Sequence, residues 1–335
     1  MNRKRRYVSV FAALAVMLIV SVYVNLITGS VDMTAREVMS VLFKKSSDPI
    51  GSAVLMSIRL PRICAAIVLG GALALSGYLL QTFFDNPIVG PFVLGISSGA
   101  KLTVALFLIF FVGKMAKTGS VYLVISAFIG ALIAMGFVLL VSLRVRSSGI
   151  LVVCGIMTGY ICSAITDLVV TFADDANIVN LHNWSLGSLS GTDFGDVIVM
   201  TFIVLVCLAF SIILIKPIGA YRLGESYAAS GGVNVKVLRV LLILISSLLA
   251  AVVTAFAGPI SFVGIATPHL VKGMTKTSSP AVLIPGSFLC GALVTLTCDC
   301  IARTIFAPAE VSISSVTAVF LVPVVIFVMI RRKRR

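Results

Sequence analysis

The sequence predicts an all-α polytopic membrane protein with about ten transmembrane helices, and three observations predict it. Of 335 residues, 59% are hydrophobic and 11% charged, about half the charge of a soluble domain. The apolar residues fall in repeated runs of roughly the 17–25 residues needed to cross the hydrocarbon as helix, and helices satisfy their own backbone there. Runs such as 240–256 show no alternation of apolar and polar residues, which a membrane β-barrel would require.

The segments follow in order. The first, 7–27, comes after the cluster Arg3, Lys4, Arg5 and Arg6 and has no small-residue cleavage site, so it reads as an uncleaved helix rather than a signal peptide. A polar stretch, 29–57, carries Val31, Val38, Val41 and Leu42 at a spacing that suits a short amphipathic helix on the membrane surface. The second segment opens at Leu60-Pro61, with proline in the first turn where its missing N–H costs nothing, and ends near Gln81. A broken run, 86–91, leads into a third segment, 92–112; the fourth is 121–143 and the fifth 150–172. A polar loop over 173–196 holds Asp174, Asp175, Asp193, Asp196 and the sole tryptophan, Trp184. The sixth segment, 197–215, runs into a polar segment, 216–239, too long for a turn. The seventh is 240–257, the eighth a short helix near 262–271 bounded by Gly258-Pro259, the ninth 281–302 and the tenth 313–330.

Charge orients this chain. Its net charge is +14, but the basic clusters abut apolar helices, as the positive-inside rule places them, so a nucleic-acid partner is not expected. The termini, Arg144, Arg146, Lys216, Arg222, Lys236, Arg239, Lys272 and Lys276 fall inside; Arg36, Lys44, Lys45, Arg59, Arg62, Lys114, Lys117 and Arg303 fall outside, with Asp32, Glu37, Asp48 and Glu310. Both termini are then cytoplasmic, in a bacterial cytoplasmic membrane. The whole of 1–335 reads as one permease domain: a first helix (1–28), a first half (58–172), an inner segment (216–239) and a second half (240–331). Each half opens on a long helix followed by a Gly/Pro-broken stretch, which suggests an inverted repeat around a central pathway.

Few residues offer chemistry. The seven cysteines lie in or beside apolar runs without a CxxC pair and read as packing residues; Cys298 and Cys300 diverge on a helix, so no metal site is expected. The run from Gly95 to Lys101 has the wrong spacing for a phosphate-binding loop, so the chain is not expected to hydrolyse ATP or to be an enzyme. Gly95 and Gly99, like Gly155 and Gly159, are small-xxx-small pairs that let helices approach. Asp167, Asp299 and Lys101 are the charges nearest the membrane interior; the first two would serve a proton- or sodium-driven transporter, though both fall near outer helix ends where water reaches them. His269, after Pro268, reads as a structural group.

The run Ser57-Ile58-Arg59-Leu60-Pro61-Arg62, then Gly70-Gly71-Ala72-Leu73-Ala74-Leu75-Ser76-Gly77, Gln81, Asn86-Pro87 and Leu94-Gly95-Ile96-Ser97-Ser98-Gly99-Ala100, resembles the iron-siderophore and cobalamin ABC importer permeases. Arg222-Leu223-Gly224-Glu225, Gly232-Val233, 257–264, Pro268-His269-Leu270 and 306–310 extend the resemblance over nearly the whole chain. It implies ten helices, a second permease subunit, two cytoplasmic ATPase subunits that hold the ATP and Mg, an extracytoplasmic substrate-binding protein, and no cofactor on this chain. It further implies coupling contacts to the ATPase from Arg222, Leu223, Gly224, Glu225, Ala228 and Val233. Arg59, Arg62 and Arg303 would dock carboxylates of the binding protein, for which bidentate guanidinium groups suit. The pathway and its gate would use Gly95, Ser97, Ser98, Gly99, Gly155, Thr158 and Gly159.

Overall fold

A computed structural model describes residues 3–29, 33–42, 49–110, 120–145, 147–307 and 309–333. The predicted positions Val31, Asp32, Lys44, Lys45, Asp48, Val112, Lys114, Lys117, Arg146, Pro308, Arg334 and Arg335 lie outside the described residues. The described residues form helices, turns and loops without strands: α1 (Arg3–Ile27), α2 (Ala35–Leu42), α3 (Pro49–Val54), α4 (Leu60–Phe84), α5 (Ile96–Phe110), α6 (Ser120–Arg144), α7 (Ser148–Val170), α8 (Asp175–Ser185), α9 (Phe194–Ile213), α10 (Ile215–Tyr221), α11 (Glu225–Ser230), α12 (Val235–Ala257), α13 (Val263–Thr275), α14 (Pro280–Thr304) and α15 (Ile313–Lys333). Among the described residues seven helices are long and apolar enough to cross a membrane; α5, α13 and α15 complete the ten expected segments.

The centre is built on α4, whose 25 residues span about 37 Å as helix. It packs against α12, α13 and α14 and is apolar on every side, as a fully buried helix must be. Small residues bring the backbones together: a Cβ added at Gly77 would stand 1.8 Å from the Gly264 carbonyl oxygen of α13, and one at Gly70 2.6 Å from that of Gly291 on α14. Close backbone approach replaces hydrophobic driving force between membrane helices, because lipid tails are as apolar as leucine. The helix α1 lies at the periphery, with exposed Val16, Met17, Ile19 and Val20.

Several boundaries differ from those predicted, each for a local reason. A π-helical turn, Leu55–Arg59, joins α3 to α4, so the second span continues back to Pro49. The surface helix after α1 is α2; Thr34 and Glu37 cap it reciprocally, and Val38 and Val41 pack with Met33 and Leu55 beside the end of α1. The acidic loop contains α8, with Asp175 in its first turn, where a negative charge suits the helix dipole, and His182 in its last. Asp193 and Asp196 form a capping box at the start of α9. The seventh span begins at Val235 rather than 240, because the Asn234 side chain accepts from the Val237 N–H and starts the helix within polar residues.

Helices α4 and α12 run in opposite directions. Each ends in a break, at 85–95 and at 258–262, followed by the shorter α5 or α13. One end of the molecule gathers the start of α1, whose Arg6 donates to the Thr275 carbonyl, with the end of α4 and the α10–α11 segment. The other gathers the start of α4 with the 186–193 and 305–312 loops.

Candidate functional site

Three places hold the residues that the sequence singles out. At the Phe83 end of α4 the polar segment is two short helices rather than one. Gly224, at φ 124 and ψ 147, occupies backbone space that is essentially glycine's alone and turns α10 into α11. Ala228 is fully buried and its carbonyl accepts from the Val233 N–H at 3.0 Å, anchoring the segment. Leu223 is 68% exposed and Tyr227 58%; these two apolar side chains project from the mount. Tyr227, four residues after Leu223, was not singled out by the sequence, though an aromatic on so polar a turn was the available signal.

Arg222 and Glu225 turn back onto the chain. Arg222 donates to the Ser278 carbonyl between α13 and α14. The Glu225 carboxylate accepts from the Tyr221 hydroxyl at 3.0 Å and stands 3.5 Å from Arg239. Burial first, then the Glu225 carboxylate, pushes the Tyr221 phenol upward, so it stays a neutral donor. A polar cleft of about 290 Å³ lies beside this segment, lined in part by Gln81, Asn86, Arg222, His269 and Lys272.

The second place is the wall around Gly95. A Cβ there would lie 2.9 Å from the Gly159 nitrogen and 3.0 Å from the Gly155 carbonyl oxygen, and Gly95 is left-handed at φ 72. Gly99 packs equally closely on Gly130 of α6. Thr158 bonds the Cys154 carbonyl of its own helix, Ser97 lies 3.4 Å from the Thr254 hydroxyl of α12, and the Ser98 hydroxyl faces Gly159. These residues therefore meet as a tight junction of α5, α6, α7 and α12. The opposite face of α7, with Val153, Met157, Tyr160 and Leu168, is exposed, as is Asp167.

The third place is the Arg62 end, where the structure corrects two expectations. The arginines expected to dock carboxylates of the binding protein are largely buried within the chain, Arg59 3% exposed and Arg62 8%, and the Arg303 side chain 9%. Asp299, expected within reach of water, is 1% exposed. Arg62 holds Asp299 through Nε and Nη2 at 2.9–3.1 Å and reaches Glu310 at 2.8 Å and Ser190 at 2.8 Å; Ser190 donates to Glu310 at 2.7 Å. Arg303 donates to the backbone and side-chain oxygens of Asn25 and stands 3.9 Å from Asp299. Arg59 caps the end of α1, donating to the carbonyls of Leu26 and Ile27. The physical reason is common to all three: helix ends present orphan carbonyls and a buried carboxylate needs a counter-charge, and both needs are met from within the chain.

Among the described residues no group of three or more His, Cys, Asp and Glu is placed to hold a metal. His269 donates through Nε2 to the Pro87 carbonyl at 2.8 Å, since a carbonyl only accepts; it clamps the 85–95 break onto α13.

Comparison with known proteins agrees with this architecture. The FecCD transport family matches residues 17–331. The hemin transport system permease protein HmuU of Yersinia pestis is 30% identical over 315 residues, covering 93% of this chain and 94% of that one. The vitamin B12 import system permease protein BtuC of Klebsiella pneumoniae subsp. pneumoniae is 32% identical over 334 residues, covering 100% and 96%. A solved structure described as an inward-facing metal-chelate type ABC transporter superposes with a TM-score of 0.84 at 27% identity over 96% of this chain and 98% of that one. With matching helices, matching length and a shared family, the chain belongs to the FecCD transport family and is an integral membrane permease of the ABC transporter type.

Proposed function

We propose that two permease subunits, this chain and a copy or close relative, line the pathway of an importer for a bulky metal chelate: ferric siderophore, haem or cobalamin. Two separate ATPase subunits act on 214–234 from the cytoplasm and hydrolyse the ATP. An extracytoplasmic binding protein delivers the solute at the Arg62 end. The observation that carries this reading is the mount at the Phe83 end, where Leu223 and Tyr227 project from a glycine-set turn on the side that holds the basic N-terminus. Two apolar side chains held out on a polar turn suit a cleft in a partner protein.

The relatives named for hemin and vitamin B12 support a large metal chelate as solute. The exposed face of α7 supports a pathway between subunits, because the interior around α4 is closed by backbone contact. In this reading the junction of Gly95, Gly155 and Gly159 with Ser97, Ser98, Gly99 and Thr158 is the hinge of the α7 wall. Arg59, Arg62 and Arg303 shape the docking face, and only exchange of Glu310 for a carboxylate of the binding protein would bring Arg62 into direct contact.

Reconstitution tests the proposal. The chain is placed in proteoliposomes with its ATPase and binding protein, and uptake of labelled cyanocobalamin, haem and a ferric siderophore is followed. ATP-dependent uptake of one of them, unaffected by collapsing proton and sodium gradients, is expected. Uptake without the ATPase, or uptake that stops with the gradients, would overturn the proposal.

A further inference from the structure

We propose that Tyr221, with Glu225 and Arg239, is a positioning relay that carries displacement of the Leu223 turn into the end of α4 and the 85–95 stretch that seats Gly95 against α7. The inference deepens the coupling reading and rests on it.

The relay starts from an orphan. Phe83 is the second-last residue of α4, so its carbonyl has no partner within the helix. The buried Tyr221 hydroxyl approaches that carbonyl at 3.3 Å and the Glu225 carboxylate at 3.0 Å, sharing one proton between two acceptors. Arg239 holds the same two partners from the other side, 3.5 Å from Glu225 and 5.3 Å above the Phe83 ring. Phe83 is thus gripped by backbone and by ring, and both grips trace to the segment that carries Leu223.

The neighbouring residue has a second tie. Arg222 is bonded to the Ser278 carbonyl in the connection between α13 and α14. Tyr221 and Arg222 both line the 290 Å³ cleft, together with Tyr78 of α4. A shift of the turn must pull on the end of α4, on the 276–279 connection, or on both.

Beyond Phe83 the strain has a short path. Asp85 ends α4 in the left-handed region at φ 47. The chain that follows is fastened to α13 by His269 at Pro87, and the end of α4 itself by Gln81, which donates to the Gly264 and Ile265 carbonyls. It then enters the 3-10 turn Pro91–Leu94 and reaches Gly95, wedged on Gly155 and Gly159. Glu225 is half-exposed, and exposed ion pairs contribute little stability, so loss of the relay should show in movement rather than in folding.

The test uses the permease co-purified with its ATPase, with spin labels at Ile88→Cys and Met157→Cys in place of the native cysteines. The distance between labels is compared before and after trapping with ATP and vanadate. In Tyr221→Phe the ATPase should remain bound and active while the trapping-dependent shift falls to less than half. Arg239→Glu alone should lose the shift, while Arg239→Lys, which keeps a cation beside Glu225 and over the Phe83 ring, should retain most of it, a difference that a merely structural role does not give. An unchanged shift in Tyr221→Phe, or a shift lost equally in Arg239→Lys and Arg239→Glu, would overturn the relay while leaving the coupling reading standing. Failure of that reading is seen separately: ATPase that stays bound to Leu223→Asp would remove the handle and the relay with it. Should Tyr221→Phe not accumulate, Arg239→Gln gives the same comparison.

Discussion

Arg62 shows why a buried charge persists in a membrane helix. Alone, its guanidinium would face a desolvation cost of several kcal/mol. Two cations, Arg62 and Arg303, meet two anions, Asp299 and Glu310, so the cluster is neutral. Glu310 is the wet edge of this cluster, its side chain 45% exposed. Burial raises its pKa, but hydrogen bonds from Arg62 and Ser190 and the charges of Arg62 and Arg303 outweigh it and hold the carboxyl below the usual range. A carboxyl lowered by folding stabilises above its unfolded pKa and loses that contribution as pH falls through its folded one. The thermal midpoint of the wild type should therefore exceed that of Glu310→Gln at neutrality, with the gap closing as pH falls below the ordinary glutamate range. A gap that stays constant over that range would contradict the brace.

Helix packing sets the next scale. Overpacking a close helix contact costs typically 1–3 kcal/mol, and at Gly77 a methyl group would meet backbone, which cannot give way. Gly136 of α6 has nothing within 4 Å of an added Cβ, and there alanine gains helix propensity. Gly77→Ala should lower the folded yield and thermal midpoint sharply while Gly136→Ala leaves them level or higher; equal effects would refute the backbone contact between α4 and α13.

The same scale shows what the sequence could carry. Spans from α1 to α15 were legible because run length and apolarity are local properties. The start set by the polar cap Asn234 was not, since hydropathy is blind to a cap. The helix α8 was missed because eleven residues of low apolarity look like loop, although its acidic start was visible. The spacing of Tyr221 and Glu225, four apart, was also visible, but the two fall on different helices, α10 and α11. No local pattern joins Arg62 to Asp299 across 237 positions; only the demand that an intramembrane charge be paired hinted at it.

Across the whole molecule, the chain is a closed helical block with two polar ends. At one end the loops after α8 and α14 are pinned by a neutral charge cluster. At the other the Leu223 turn stands out on a mount tied to both α4 and the α13–α14 connection. In the proposed function such a block moves solute by rocking against a second permease subunit, so its output depends on where force is applied. The account makes that place the exposed turn at the end bearing the N-terminus.

Labelling of Leu223→Cys in sealed vesicles of known orientation, with and without the ATPase, tests this most directly. A membrane-impermeant maleimide should react from the cytoplasmic side only, and bound ATPase should protect the site. Reaction from the exterior, or cytoplasmic reaction that the ATPase leaves unchanged, would contradict the account.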